Sequence, residues 1–290
     1  MNTLESLETL ENFAIDETII FQELTPDYPV VHITNSHAKA SIALHGAHVL
    51  EYTPTSQRPV IFTSESAIYE EGTAIRGGIP VCWPWFSAHP TDKSLPSHGY
   101  ARKAFWKLFR TFDNKEGTTL IFTFSENELH AELTIKVGES LDLELKTTNT
   151  GSESVVIGGA LHTYLNISDI ENISISGLDQ ASYIDSLTDT SETQNADITI
   201  DEEVDRVYTD TDHTVSLYDK AWNRSLIVEK TGSLSTVIWN PWIDKAAELK
   251  DLGDDEYKKF VCIEATNALE DVYRVAPGFS HILGTTITAV

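Results

Sequence analysis

Glu264 stands in Phe260-Val-Cys-Ile-Glu264, where a period of two sets its carboxylate on the same face as Phe260 and Cys262. Both faces of that run are largely apolar, so the carboxylate is carried into a core. Burial without a partner is costly and raises the pKa of a carboxyl group, which is what a general base near neutrality needs. A structural glutamate salt-bridged to an arginine fits the same pattern. His162 lies in Gly158-Gly-Ala-Leu-His162-Thr-Tyr164, near the end of an apolar run whose glycines admit close approach of another group. A hydrogen-bonded core histidine is the plainer reading. A buried carboxylate and a histidine on separate strands also make an acid/base pair able to work on opposite sides of one substrate.

The other chemistry-bearing stretch is 74–102, AIRGGIPVCWPWFSAHPTDKSLPSHGYAR. Its prolines and glycines do not suit a regular strand or helix, whereas aromatics and arginines on a shaped loop suit ligand recognition. Residues 72–110 hold Arg76, Lys93, Arg102, Lys103, Lys107 and Arg110 against Asp92 alone. No G-x-x-x-x-G-K-[ST] or G-x-G-x-x-G loop is present, so a bound phosphate must be held by side chains. Arg76 and Arg102 are the natural bidentate forks for it, and His98, beside Gly99 in the same loop, is a candidate ligand contact. Trp83, Trp85, Trp239 and Trp242 read either as sugar-stacking platforms or as core.

Other chemistries lack residues. There is no G-x-S-x-G elbow, and Cys82 has no neighbouring histidine in sequence. His45 and His48, three apart, fall on opposite faces if they share a strand, and no recognised ligand pattern includes His98 or His162, so no metal site is expected.

The elements that must position these groups are short strands. Alternation marks 18–24, 30–34, 40–44, 47–53 and 59–62, then 118–124, 129–137 and 141–147, where Leu141, Leu143 and Leu145 oppose Asp142, Glu144 and Lys146. The run 155–166 is apolar on both faces and reads as a central strand. Further strands fall at 173–176, 196–200, 214–218, 225–228, 235–239, 259–264, 272–275 and 281–288. Leu4, Leu7, Leu10 and Phe13 predict a short amphipathic helix over 2–13, packed on the body within a 1–15 helical segment. Ten acids between 185 and 212, opposed only by Arg206, read as a solvated face. Without repeat, linker or composition break, residues 1–290 are expected to form one all-β domain.

A formal charge of −25 excludes nucleic acid and anionic membrane as partners. Cys82 and Cys262, far apart in apolar settings, predict buried thiols in a reducing compartment. The N-terminus lacks a signal-peptide pattern and no long apolar span occurs, so a cytoplasmic protein is expected.

Arg76-Gly-Gly-Ile-Pro80, Cys82-Trp-Pro-Trp-Phe86, His98-Gly-Tyr-Ala-Arg102, Leu161-His-Thr-Tyr164, Trp239-Asn-Pro-Trp242 and Val261-Cys-Ile-Glu264 together resemble the hexose-6-phosphate mutarotase (glucose-6-phosphate 1-epimerase) family, relatives of aldose 1-epimerase. The resemblance implies a galactose-mutarotase-like antiparallel β-supersandwich. It implies an isomerase that converts the anomers of an aldohexose 6-phosphate, with no cofactor or metal and a small phosphosugar as its partner; the chain is expected to be a monomer. It also implies roles: His162 as general acid, protonated in the resting complex, Glu264 as general base, Arg76 and Arg102 as substrate or phosphate ligands, and His98 as a sugar-orienting group. Asp205, in Val204-Asp-Arg-Val-Tyr208, matches an aspartate that contacts sugar hydroxyls, and Ser97 stands where some relatives carry a substrate-binding glutamine. Activity on unphosphorylated aldoses, or carbohydrate binding without catalysis, are the alternatives.

Overall fold

Ser6 opens the first helical turn of the chain: its Oγ accepts the Thr9 N–H at 3.3 Å, and Leu7–Leu10 buries Leu10. A 3-10 turn, Glu11–Phe13, completes it, with Leu7 and Phe13 packed against the main core. The computed structural model describes residues 5–290, so Leu4 of the expected helix lies outside the described residues.

Strands form where apolar side chains alternate. In Leu129–Val137 every second side chain from Leu129 to Val137 is buried, and in Ser140–Asn149 the buried set includes Leu141, Leu143 and Leu145. These two pair inside an eight-stranded sheet ordered Ile173–Ser176, Val215–Asp219, Arg224–Thr231, Ser280–Ala289, Ser140–Asn149, Leu129–Val137, Gly117–Glu126 and Lys107–Asn114. A second eight-stranded sheet runs Thr190–Thr193, Ser182–Asp185, Val204–Tyr208, Ser235–Asn240, Phe260–Asn267, Gly159–Leu161 and Val81–Cys82, with Tyr164–Asn166 also paired to Phe260–Asn267. A four-stranded sheet over Ile19–Thr25, Tyr28–Thr34, Ala38–Ala43 and His48–Pro54 and a two-stranded one, Val155–Ile157 with Tyr273–Val275, complete the set. The paired strands are antiparallel throughout, and one apolar cluster takes Val261, Ile263 and Ile238 from the second sheet and Leu133, Leu145 and Ile287 from the first.

Several expectations change. The run 155–166 is three short strands broken at Gly158 and at His162-Thr163. Segments 59–62 and 196–200 contribute only single bridges, Ile61 to Leu165 and Ile198 to Ile175. The acidic run supplies three strands; most of its acids are exposed, but Asp205 is half-buried. A helix, Trp242–Glu248, follows Asn240-Pro241, whose Asn240 Oδ1 accepts the Trp242 N–H at 2.9 Å. The Asn-Pro pair is a readable helix start.

Candidate active site

Every residue of Phe260–Asn267 is buried, because the strand is central in its sheet and covered on both faces. Val261, Ile263 and Ala265 face the core between the large sheets; Phe260 and Cys262 face a smaller cluster with Tyr164, Phe62 and Tyr257. Glu264 shares the latter face and is 1% exposed. The neighbouring chain keeps one register on both sides of its break, Leu161 opposite Ala265 and Tyr164 opposite Cys262, which brings His162 opposite Glu264. His162 Nδ1 lies 3.3 Å from Glu264 Oε1. The two groups therefore stand side by side on one face, not on opposite sides of a bound molecule. Neither His162 Nδ1 nor Glu264 Oε2 has a hydrogen-bonding partner among the described residues.

The glycines upstream serve the sheet. A Cβ on Gly159 would lie 2.9 Å from the Cys82 carbonyl oxygen, and one on Gly158 2.8 Å from that of Asn267. The close approach they permit is that of neighbouring strands.

Burial raises the Glu264 pKa well above the ordinary carboxylate value; the nearby Asp205 charge adds to this and Arg102 opposes it. Burial holds His162 well below the ordinary imidazole value, helped by His98, Arg102 and Arg76. In the free enzyme both shifts run against charge and favour a resting pair of neutral imidazole beside protonated carboxyl, whereas the expected acid role needs a charged His162 once substrate is bound. That state and the ion pair hold the same number of protons, and differ by one proton moved across the 3.3 Å contact.

His98 has φ +63°, and its Nδ1 accepts the Ser87 N–H at 3.2 Å. Burial, Arg102 and Arg76 push its pKa down to about 3, so the ring is neutral. With Nδ1 accepting, Nε2 carries the hydrogen and becomes a donor; its ring centroid is 6.3 Å from that of His162. Gly99 makes this loop possible: at φ +71°, a Cβ there would run into the Trp83 carbonyl oxygen. Arg102 Nη2 donates to the Ser97 carbonyl at 3.1 Å, and its buried Nε has no partner among the described residues. Ser97 is exposed, so its contribution here is through its main chain.

Arg76 Nε donates to Asp251 Oδ1 at 3.1 Å and its Nη1 to the Tyr164 hydroxyl at 3.1 Å. The backbone beside it is pinned by His48, whose Nε2 donates to the Gly77 carbonyl at 2.8 Å. A Cβ on Gly78 would run into that ring, so the glycine pair is needed for packing. His45 and His48 flank a turn and are both fully buried, unlike residues on two faces of one strand.

Asp205 pairs in register with Trp239, which places both on the Glu264 face. Burial raises its pKa and the Ser186 hydrogen bond opposes that. Trp239 and His162 meet edge to face, at 5.9 Å and 85°. Trp83, by contrast, is core, with Nε1 donating to Thr147 Oγ1 at 2.9 Å. A cavity of about 730 Å³ adjoins the site through His98 and Asp205 and extends along Trp85, Phe86 and Leu269. His162, Glu264, Arg76 and Arg102 are not among its walls. His162, Cys262 and Glu264 bring ligand atoms within 4.8 Å of one another, and burial pushes the Cys262 thiol well above its ordinary pKa.

The structure therefore gathers His162, Glu264, His98, Arg76, Arg102 and Asp205, and adds Tyr164, Trp239 and Asp251. Tyr164 and Trp239 stand inside the quoted motifs. Asp251, in a polar stretch with other acids, gives no signal in sequence.

The aldose 1-epimerase family model matches residues 29–288. A protein of Salmonella typhimurium provisionally named glucose-6-phosphate 1-epimerase is 32% identical over 89% of this chain and 90% of its own. A protein of the same provisional name from Escherichia coli is 33% identical over 83% and 84%. The crystal structure of a protein from Salmonella typhimurium, provisionally a mutarotase, superposes with TM-score 0.89 at 28% identity, covering 96% of this chain and 95% of that one. Galactose 1-epimerase of Lactobacillus acidophilus, at 11% identity and TM-score 0.71 over 94% and 98%, shares the fold.

Proposed function

Because the chain belongs to the aldose 1-epimerase family and has the galactose mutarotase-like fold, we propose that it interconverts the α and β anomers of an aldohexose 6-phosphate, glucose 6-phosphate first among them. The observation that carries this reading is the buried His162–Glu264 contact at 3.3 Å with Arg102, free of any acid partner among the described residues, acting on both groups.

In the reaction the C1 hydroxyl loses its proton to Glu264 while His162 protonates the ring oxygen, and the C1–O5 bond opens to the aldehyde. Rotation about C1–C2 and closure in reverse give the other anomer, with atoms and protons balanced. The C1 hydroxyl oxygen and the ring oxygen share one carbon, so adjacent acid and base suit this chemistry. From the resting state the proton must first pass from Glu264 to His162. A bound phosphate dianion would offset Arg76 and Arg102, which disfavour charge on His162, and so ease that transfer. His98 Nε2 and Asp205 would hydrogen-bond sugar hydroxyls, and Trp239 would lie beside the sugar ring. Phosphate preference rests on the arginines; the 730 Å³ cavity, with Glu126 and Glu128 on its walls, suits uncharged groups.

The chain is read as one domain, supported by a core cluster running from Leu10 to Ile287. Two buried free cysteines support a reducing cytoplasm. No helix among the described residues is long and apolar enough to cross a membrane.

Exchange NMR on glucose 6-phosphate, galactose 6-phosphate and free glucose tests the reading. Faster anomer exchange of a 6-phosphate is expected; equal or faster exchange of free glucose would overturn phosphate specificity, and exchange of none of them would leave a binding protein.

A further inference from the structure

Tyr164 touches both halves of this site. Its ring stacks on His162 with centroids 4.9 Å apart and planes within 12°. Its hydroxyl accepts from Arg76 Nη1 at 3.1 Å. Trp239 packs T-shaped with the same ring at 5.9 Å and Phe260 lies against it at 5.0 Å, leaving Tyr164 2% exposed. Its strand register opposite Cys262 fixes the backbone beneath. The hydroxyl oxygen is thus a fixed point.

Arg76 is aimed by that point and by one other. Asp251 takes Nε and Tyr164 takes Nη1, so the guanidinium plane is defined on two sides while Nη2 has no protein partner among the described residues. A guanidinium held in this way has little rotamer freedom to lose on meeting an anion. The carboxylate also offsets part of the arginine's charge, so orientation supplies much of its value.

We propose that Tyr164 is a positioning residue that joins the grip on the substrate's phosphate to the proton-transferring histidine: its hydroxyl aims Arg76, and its ring sets the plane of His162. The proposal rests on the phosphosugar reading above. The two tasks belong to different atoms of one side chain, so they separate by substitution. Tyr164→Phe keeps the ring and removes the hydroxyl; Tyr164→Leu removes both.

The test measures kcat and KM for glucose 6-phosphate and free glucose, and binding of inorganic phosphate by 31P NMR, in wild type and variants. For Y164F the kcat/KM preference for the 6-phosphate is expected to fall about tenfold, mainly through KM, with weaker phosphate binding, as for loss of a hydrogen bond to a charged group. In an Arg76→Lys background the same change should cost less than about threefold, because the hydroxyl acts through Arg76. For Y164L, kcat is expected to fall on both sugars and the pH profile to shift. Y164F with wild-type preference and phosphate binding would overturn the proposal, as would equal losses on both sugars, which mark a structural role. A wild type without preference for the 6-phosphate would instead remove the phosphosugar reading itself.

Discussion

His162, in the break between two short strands, faces Glu264 on the antiparallel strand beside them, with Nδ1 and Oε1 3.3 Å apart in a setting that disfavours charge on either. The sheet register enforces the meeting, since Leu161 and Tyr164 are already paired with Ala265 and Cys262. With the two side chains 12% and 1% exposed, burial keeps most bulk water from the contact.

Stability should register the cost of that arrangement. The Glu264 pKa is raised in the folded chain, so its contribution is most favourable below the ordinary value of 4.5 and is lost as pH rises toward the folded value. Glu264→Gln, isosteric with the protonated acid, should therefore stabilise the protein by about 1–3 kcal/mol at alkaline pH, with the gain vanishing near the ordinary carboxylate value. Thermal melts of both proteins across pH check this; a gain that grows toward acid pH would contradict it.

The rate profile should follow the same two directions. The kcat/KM of the free enzyme should fall on the alkaline side as the pair loses its shared proton through the raised Glu264 pKa. It should fall on the acid side as a second proton enters through the depressed His162 pKa. In kcat with a 6-phosphate the acid limb should move upward, because bound phosphate offsets Arg76 and Arg102. Paired profiles on phosphorylated and free sugar decide the matter; equal displacement with both would refute the phosphate's role.

Arg102 has its Nε buried without a partner among the described residues, and its Nη2 is held by the Ser97 carbonyl. Arg102→Ala should raise KM for glucose 6-phosphate roughly 10- to 100-fold, the range for losing a charge-assisted contact. Free glucose should be affected much less. Steady-state kinetics on the two sugars show the split, and equal effects would place Arg102 outside phosphate binding.

Gly99 tests the loop that carries His98. At φ +71°, with the Trp83 carbonyl oxygen standing where a methyl group would go, alanine cannot be accommodated without moving the backbone. Gly99→Ala should lower stability by more than about 2 kcal/mol, measured by denaturant unfolding. A Gly72→Ala control, also at positive φ but with open space around it, should cost less.

Much of the scaffold was readable in sequence because alternation is a strong signal wherever one face is buried, as in Leu129–Val137 and Ser140–Asn149. Lys107–Asn114 escaped because it is an edge strand with Phe109 and Phe112 turned to solvent. The strands at Ser182–Asp185 and Val204–Tyr208 hid among acids, though Tyr183, Val204, Val207 and Tyr208 are buried there. For the site, periodicity alone placed Glu264 on a buried face. The partnership with His162 needed the register across a broken strand, and the Asp251–Arg76–Tyr164 chain needed contacts between residues remote in sequence.

The most direct test of the account is α/β exchange of glucose 6-phosphate, followed by NMR, in His162→Gln and Glu264→Gln proteins whose melts show a folded chain. Enzyme-dependent exchange should fall at least about 100-fold in each, the scale of a lost general acid or base. Combining the two should add little, because the pair acts as a unit. Near-normal exchange in either single variant would contradict the assignment of proton transfer to these residues.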